Sequence, residues 1–116
     1  MTPQDFAKAF YDEKENLLDI YFERKPYPYA DVAPKSDVAE LIKRLNLDKE
    51  QKDILFQILD GTLRDTMYTI LLALDGAASL GNEMQQMFGL TDEDGNNLTE
   101  GKLEGHAYEY FHGQNK

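Results

Sequence analysis

Large apolar residues recur every three or four positions between residues 49 and 78. This spacing places them on one side of an α-helix, and additional apolar residues make the stripe wider than a single seam. Such a helix needs neighbours on several sides, so the sequence predicts a mainly α fold, a small helical bundle around a central helix at about 49–78. Gly61 interrupts the pattern, and it either separates two helices or permits close packing. The stripe consists of Leu55, Ile58, Leu59, Leu63, Met67, Ile70, Leu71, Leu72, Leu74 and Ala77.

A second amphipathic segment begins at the N-terminus. Thr2 is a suitable N-cap, and Pro3 suits the first helical position because it has no amide hydrogen to leave unpaired. The pattern that follows predicts a helix, although residues 18–22 are rich in residues that also favour a strand. Its apolar side carries Phe6, Phe10, Leu17 and Tyr21, and its solvent side carries most of Asp12, Glu13, Lys14 and Glu15.

Capping signals predict where the next two helices begin. Three prolines between residues 25 and 34 predict a loop. Ser36 then caps a short helix that reaches about Leu45. Asp48 and Gln51 match a capping box at the start of the central helix. Gly76 and Gly81 mark its far end, where glycine supplies a left-handed cap.

The segment from residue 88 onward contains the patterns of a β-hairpin and of a short helix. Asp92-Glu-Asp-Gly-Asn lies between two short β-friendly runs, which favours a small β-hairpin near 88–100. A short C-terminal helix follows, with Leu103, Ala107, Tyr110 and Phe111 on its apolar side.

The chain has 116 residues and no cysteine, and this length predicts a single domain over residues 1–116. The N-terminus lacks the basic and apolar regions of a signal peptide, so we expect a reducing cytoplasm. The longest apolar run, residues 70–74, is far shorter than the ~20 residues that cross a bilayer, and we expect no membrane span.

Acidic residues outnumber basic ones, 22 to 12, which gives a formal net charge of −10. Residues 65–116 contain nine of the acids but, as bases, only Lys102 and Lys116, so this half carries −7. Such a surplus repels nucleic acid and anionic membrane and steers association toward basic surfaces. We therefore expect a basic protein partner and neither a nucleic acid nor a membrane.

Catalytic and metal-binding patterns are weak. We predict no catalytic residue, no metal and no cofactor, because the chain has neither a cysteine nor a phosphate loop, and no zinc pattern. Residues around Gly95 do not match an EF-hand register. The alternative is a small helical enzyme or ligand-binding domain that uses His106, Glu109 and His112 with a divalent metal.

Tyrosines and carboxylates are the candidate partner-binding residues. Tyrosine is enriched at protein interfaces, and carboxylates within an apolar stretch can meet a cationic partner. Tyr27 and Tyr29 in the proline-rich loop supply further aromatic surface. The candidates in the C-terminal half are Asp65, Tyr68, Asp75, Glu83, Asp92, Glu93 and Asp94.

The size, the absence of cysteine and the acidic surplus resemble those of bacterial immunity proteins, small cytoplasmic inhibitors of toxins. Residues 59–81 (LDGTLRDTMYTILLALDGAASLG) and 92–113 (DEDGNNLTEGKLEGHAYEYFHG) are also similar to a small uncharacterised bacterial family. This resemblance implies a protein-binding inhibitor, not an enzyme, that occludes a basic nuclease-type toxin. The other alternative is a structural or regulatory homo-oligomer that buries the broad apolar surface of the central helix.

Overall fold

Four α-helices and one π-helical turn make up the regular structure of residues 1–24 and 35–113, the residues that this computed structural model describes. The chain is mainly α, as the sequence predicts. The predicted proline-rich loop, with Tyr27 and Tyr29, lies outside the described residues. The elements are α1 (Pro3–Phe22), α2 (Asp37–Leu45), α3 (Lys49–Leu74), α4 (Glu104–Tyr108) and the π-helical turn Glu109–Gly113.

Reciprocal capping fixes the start of α1. The backbone N–H of Asp5 donates to the Thr2 hydroxyl oxygen at 3.0 Å, and the Thr2 N–H donates to the Asp5 carboxylate at 3.0 Å. Two amides that have no partner within the helix are thereby satisfied. The helix continues to Phe22, so residues 18–22 are helical and not a strand.

The caps of α2 and α3 confirm the predicted boundaries. The Ser36 hydroxyl accepts a hydrogen bond from the Ala39 N–H at 3.1 Å, and α2 ends at Asn46 in the left-handed conformation. Asp48 and Gln51 form the predicted capping box, with bonds of 2.8 and 3.1 Å. Side chains close in sequence therefore set both helix starts.

Helix α3 ends at Leu74, earlier than the predicted end near residue 78. Gly76 adopts a left-handed conformation with φ of 78°, and the N–H of Ala77 donates to the Leu72 carbonyl at 2.9 Å. These features form a Schellman motif, which stops the helix at this glycine.

Gly61 lies within continuous helix, and no atom outside the local backbone lies within 4 Å of the position that a Cβ would take. It therefore neither separates two helices nor permits close packing.

The chain divides into two compact units. Unit 1 comprises residues 1–12 and 63–116, and unit 2 comprises residues 13–62. The expected single domain and the expected bundle around the central helix stay predictions. None of the described helices is long and apolar enough to cross a membrane.

Unit 1 has a core of small and large apolar side chains. Burial of this apolar surface is the main stabilising contribution to the unit. The guanidinium of Arg64 donates to the Phe111 carbonyl at 3.0 Å, which satisfies a backbone acceptor in the π-helical turn. The fully buried members are Ala7, Leu71, Leu103, Ala107 and Phe111, with Phe6, Phe10, Tyr11, Met67, Tyr68 and Tyr110 packed against them.

Unit 2 buries a charge as well as apolar groups. Leu18, Ala39 and Ile42 are buried, and the rings of Phe22 and Phe56 meet edge to face at 5.2 Å between centroids. Lys14, which the sequence places with the solvent-facing residues, is instead fully buried. Its ammonium donates to Asp60 at 2.5 Å and lies 3.7 Å from Glu15. The buried cation is tolerated because carboxylates meet it.

The predicted β-hairpin is wrong. Among the described residues, one isolated antiparallel bridge joins Thr91 and Asn97, and neither side extends into a strand. The backbone N–H groups that would extend the pairing donate to side chains instead. The N–H of Asn96 donates to the Asp92 carboxylate, and the N–H of Leu90 donates to the Thr99 hydroxyl oxygen. Such local side-chain bonds compete with strand pairing. The result is a turn stabilised by side chains, followed by the predicted C-terminal helix.

Candidate protein-binding surface

Residues 65–101 carry seven acidic side chains and no lysine, arginine or histidine. The exposed members define the acidic set, a name that we use below for Asp65, Glu83, Glu93, Asp94 and Glu100. All five belong to unit 1. No basic residue lies within the stretch, and Arg64 and Lys102 border it at its two ends.

Asp75 is buried and therefore does not belong to the acidic set. Its side chain is 2 % exposed, and its carboxylate accepts backbone N–H bonds from Gly101 at 2.9 Å, Leu103 at 3.1 Å and Glu104 at 2.9 Å. Leu103 is the N-cap of α4 and has no capping side chain of its own. Asp75 thus serves as the cap of α4 from a distant part of the chain, and its burial gives the predicted contact with a partner no support.

The Asp92 carboxylate also forms most of its interactions within the molecule. Its carboxylate accepts hydrogen bonds from the Met1 amino group at 2.8 Å, the Asn96 side chain at 2.9 Å and the backbone N–H groups of Asn96 and Asp94 at 2.9 and 3.0 Å. These bonds, that of the amino group foremost, hold the pKa of the Asp92 carboxyl far below its usual value of 3.8. The residue stabilises the turn that it begins, and little of its charge is left for a partner.

Tyr68 is half-buried and packs against the core of unit 1. Its ring meets the ring of His112 edge to face at 4.4 Å between centroids. Burial raises the pKa of the Tyr68 hydroxyl, and the negative charge of Glu104 raises it further. The side chain thus contributes to packing, which leaves only part of it for the predicted interface. Tyr27 and Tyr29 lie outside the described residues.

His106, Glu109 and His112 do not form a metal site in this structure. Across residues 1–24 and 35–113, no three histidine, aspartate or glutamate side chains converge as a ligand set would. His112 instead packs beside Tyr68 and Tyr108. The geometry gives the metal-dependent alternative no support.

A shallow groove in unit 2 is too small for most ligands. It has a volume of about 230 Å³ and is lined by the ends of α1 and α2 and the start of α3. Ligand sites usually occupy roughly 300–1,000 Å³. One of its two lysines, Lys43, is already paired with Glu23 at 2.7 Å and Glu40 at 3.5 Å. The groove does not make a strong small-molecule site.

An exposed apolar segment at residues 80–88 is the feature that sequence reasoning missed. We call Leu80, Met84, Met87 and Phe88 the apolar set, and all four are exposed. Their spacing of i, i+4, i+7 and i+8 matches a helical stripe, but the segment also contains Gly81 and Asn82 and forms no helix in the structure. The signal available in the sequence was four large apolar residues within nine positions, in a segment that also contains Gly81 and Asn82.

Comparison with protein-family models, with curated proteins and with solved structures finds no match for this chain. The resemblance to immunity proteins and to a small bacterial family therefore stays a prediction. Among the residues of the chain, the acidic set and the apolar set are the candidates for contact with a partner.

Proposed function

We propose that this protein is a protein-binding inhibitor of the immunity type, which occludes a basic surface on a nuclease-type toxin. The observation that carries the proposal is the acidic set within a stretch of 37 residues, 65–101, that contains no basic side chain. Asp75 and Asp92 take no part in it, because the fold itself uses their carboxylates.

Charge would act mainly on the rate of encounter. A negatively charged surface steers a positively charged partner toward it and raises the association rate, more strongly at low salt. The same charge repels nucleic acid and anionic membrane. Carboxylates of the acidic set would take the positions that substrate phosphates occupy in a basic cleft, so inhibition requires occlusion and no catalysis.

A matched pair of charge-reversal variants tests the proposal. Glu83→Lys, Glu93→Lys and Asp94→Lys together change three exposed carboxylates of the acidic set. The control combines Glu13→Lys, Glu50→Lys and Asp53→Lys, which are exposed residues of unit 2. Both triples change the net charge by the same amount. Binding to a panel of purified basic nuclease domains is measured by biolayer interferometry at several salt concentrations, together with nuclease inhibition.

We expect wild type to inhibit a member of this panel and the first triple to weaken association by roughly tenfold or more, with a flatter salt dependence. The control triple should change the affinity much less. Equal losses in both triples would mean that net charge alone matters. An unchanged affinity and an unchanged salt dependence in the first triple would contradict the proposal.

A homo-oligomer is the second candidate, and exposed apolar residues on α3 favour it. Ile54 and Ile58 lie one helical turn apart and are 51 % and 56 % exposed. A second copy that packed on them would bury this surface. Sedimentation velocity at several concentrations separates the two functions, because an oligomer dissociates on dilution and a monomeric inhibitor does not change.

A further inference from the structure

We propose that the apolar set forms the short-range anchor of the interface and receives an amphipathic partner segment whose apolar side chains are flanked by lysine or arginine. This inference rests on the proposed function, since it assigns a binding element to the same acidic half of the chain. The acidic set then attracts the partner, and the apolar set retains it.

The exposure of these side chains is the first observation. Met84 is 85 % exposed, Met87 65 %, Leu80 54 % and Phe88 43 %. Single exposed apolar residues are ordinary on protein surfaces, whereas a concentration of them marks an interaction site. Four of the nine residues at 80–88 are large, apolar and exposed, and methionine and phenylalanine are enriched at interfaces.

The backbone under the apolar set is held in place. The Gln85 side-chain amide donates to the Gly76 carbonyl, and the Met87 sulfur lies against Gly76 at the end of α3. At the other end, the Thr99 hydroxyl donates to the Phe88 carbonyl at 2.6 Å. Binding would therefore cost little ordering of the main chain, which favours affinity. Unbranched methionine side chains then adapt to an irregular apolar partner.

Charge complementarity selects the occupant. Glu83 lies within the segment, Glu93 and Asp94 follow it closely, and the nearest basic residues in sequence are Arg64 and Lys102. A partner that places lysine or arginine beside its apolar side chains gains attraction to these carboxylates. A second copy of this chain, with its net charge of −10, would meet repulsion instead.

Two synthetic peptides and a matched pair of double variants test the inference. The first peptide, of about 18 residues, forms an amphipathic helix of leucine and lysine, and in the second serine replaces every leucine. Leu80→Ser/Met84→Ser removes half of the apolar set. The control, Ile54→Ser/Ile58→Ser, removes two isoleucines of similar exposure from α3. Fluorescence anisotropy gives the affinities, and circular dichroism confirms that each variant remains helical.

We expect Leu80→Ser/Met84→Ser to weaken binding of the leucine–lysine peptide by roughly tenfold, mainly through faster dissociation. The control should stay within about twofold of wild type, and the serine–lysine peptide should not distinguish the three proteins. Wild-type affinity in the first double variant, or equal losses in both, overturns the inference.

The charge triple separates this inference from the proposed function. The triple variant Glu83→Lys/Glu93→Lys/Asp94→Lys tests the acidic set, and Leu80→Ser/Met84→Ser tests the apolar set. If the triple variant loses the salt dependence of binding while the double variant binds like wild type, the proposed function is supported and the apolar anchor is contradicted. If the triple changes nothing, the proposed function fails first. A concentration-dependent dimer that Leu80→Ser/Met84→Ser dissolves would assign the segment to a second copy and would also overturn the inference.

Discussion

Asp75 is the residue on which the C-terminal part of unit 1 most clearly depends. Its carboxylate accepts three backbone N–H bonds from residues 26 to 29 positions further along the chain. Hydrogen bonds to a buried charged group are among the stronger ones in proteins, and the donors would be left without this partner if the carboxylate were removed. The side chain therefore connects the end of α3 to the start of α4.

Replacing Asp75 with alanine should lower the free energy of unfolding by about 3 kcal/mol, because several charge-assisted hydrogen bonds are lost together. Urea denaturation followed by circular dichroism measures the change. Asp65→Ala is the control, since it removes an exposed carboxylate from α3 and should stay within about 0.5 kcal/mol of wild type. Similar values for both variants would show that Asp75 is not a structural cap.

Lys14 and Asp75 also show what sequence patterns do not reveal. The charge of Lys14 suggested the solvent side, although the residue lies four positions after Phe10 and three before Leu17, on the apolar side of α1. The acidic character of Asp75 suggested a surface role. Their burial depends on partners distant in sequence, Asp60 for the lysine and the backbone at 101–104 for the aspartate. A local pattern contains no information about such partners, so sequence alone assigned both side chains incorrectly.

At the scale of the elements, the local signals predicted the helix starts well. Thr2, Ser36 and Asp48 each accept a hydrogen bond from an amide three residues ahead, and that interaction depends only on neighbouring residues. The turn at 92–97 was mispredicted because the Asp-Gly signal is shared by hairpins and by turns whose side chains hold the backbone. The extent of pairing depends on the surrounding contacts, which the sequence does not display.

Gly61 and Gly76 should respond in opposite directions to alanine. Gly61→Ala should raise the free energy of unfolding by roughly 0.5–1 kcal/mol, because the site is helical and has space for a methyl group. Gly76→Ala should lower it by about 1–2 kcal/mol, because φ is positive there and the new Cβ would meet the Met87 sulfur. Thermal and urea unfolding measure both. Destabilisation by Gly61→Ala would mean that the glycine has a packing role.

At the scale of the whole molecule, the chain is strongly acidic. The formal net charge of −10 favours solubility and opposes self-association, and residues 65–116 carry −7 of it. The acidic surplus itself can be read from the sequence. Which carboxylates remain exposed cannot, because that depends on the internal bonds of Asp75 and Asp92. The sequence therefore gives the acidic surplus of this half but not which of its carboxylates are exposed.

Acid should destabilise the protein in part through Asp92. Its folded-state pKa lies below the usual value of 3.8, so the charged form stabilises the fold above that value. This contribution is lost as the pH falls from about 5 toward the lowered folded-state pKa. In Asp92→Asn, the urea midpoint should therefore change less over this acidic range than in wild type. Glu93→Gln, at an exposed neighbour, is the control, and equal pH profiles for Asp92→Asn and wild type would contradict the assignment.

The bonds that Asp75 makes close residues 76–100 into a loop with a fixed base. Mutations near the middle of that loop change the exposed residues while the closing carboxylate and the helices it connects stay intact. For a binding protein of the kind proposed, the 80–88 segment can therefore change in sequence while the carboxylate that closes the loop is kept.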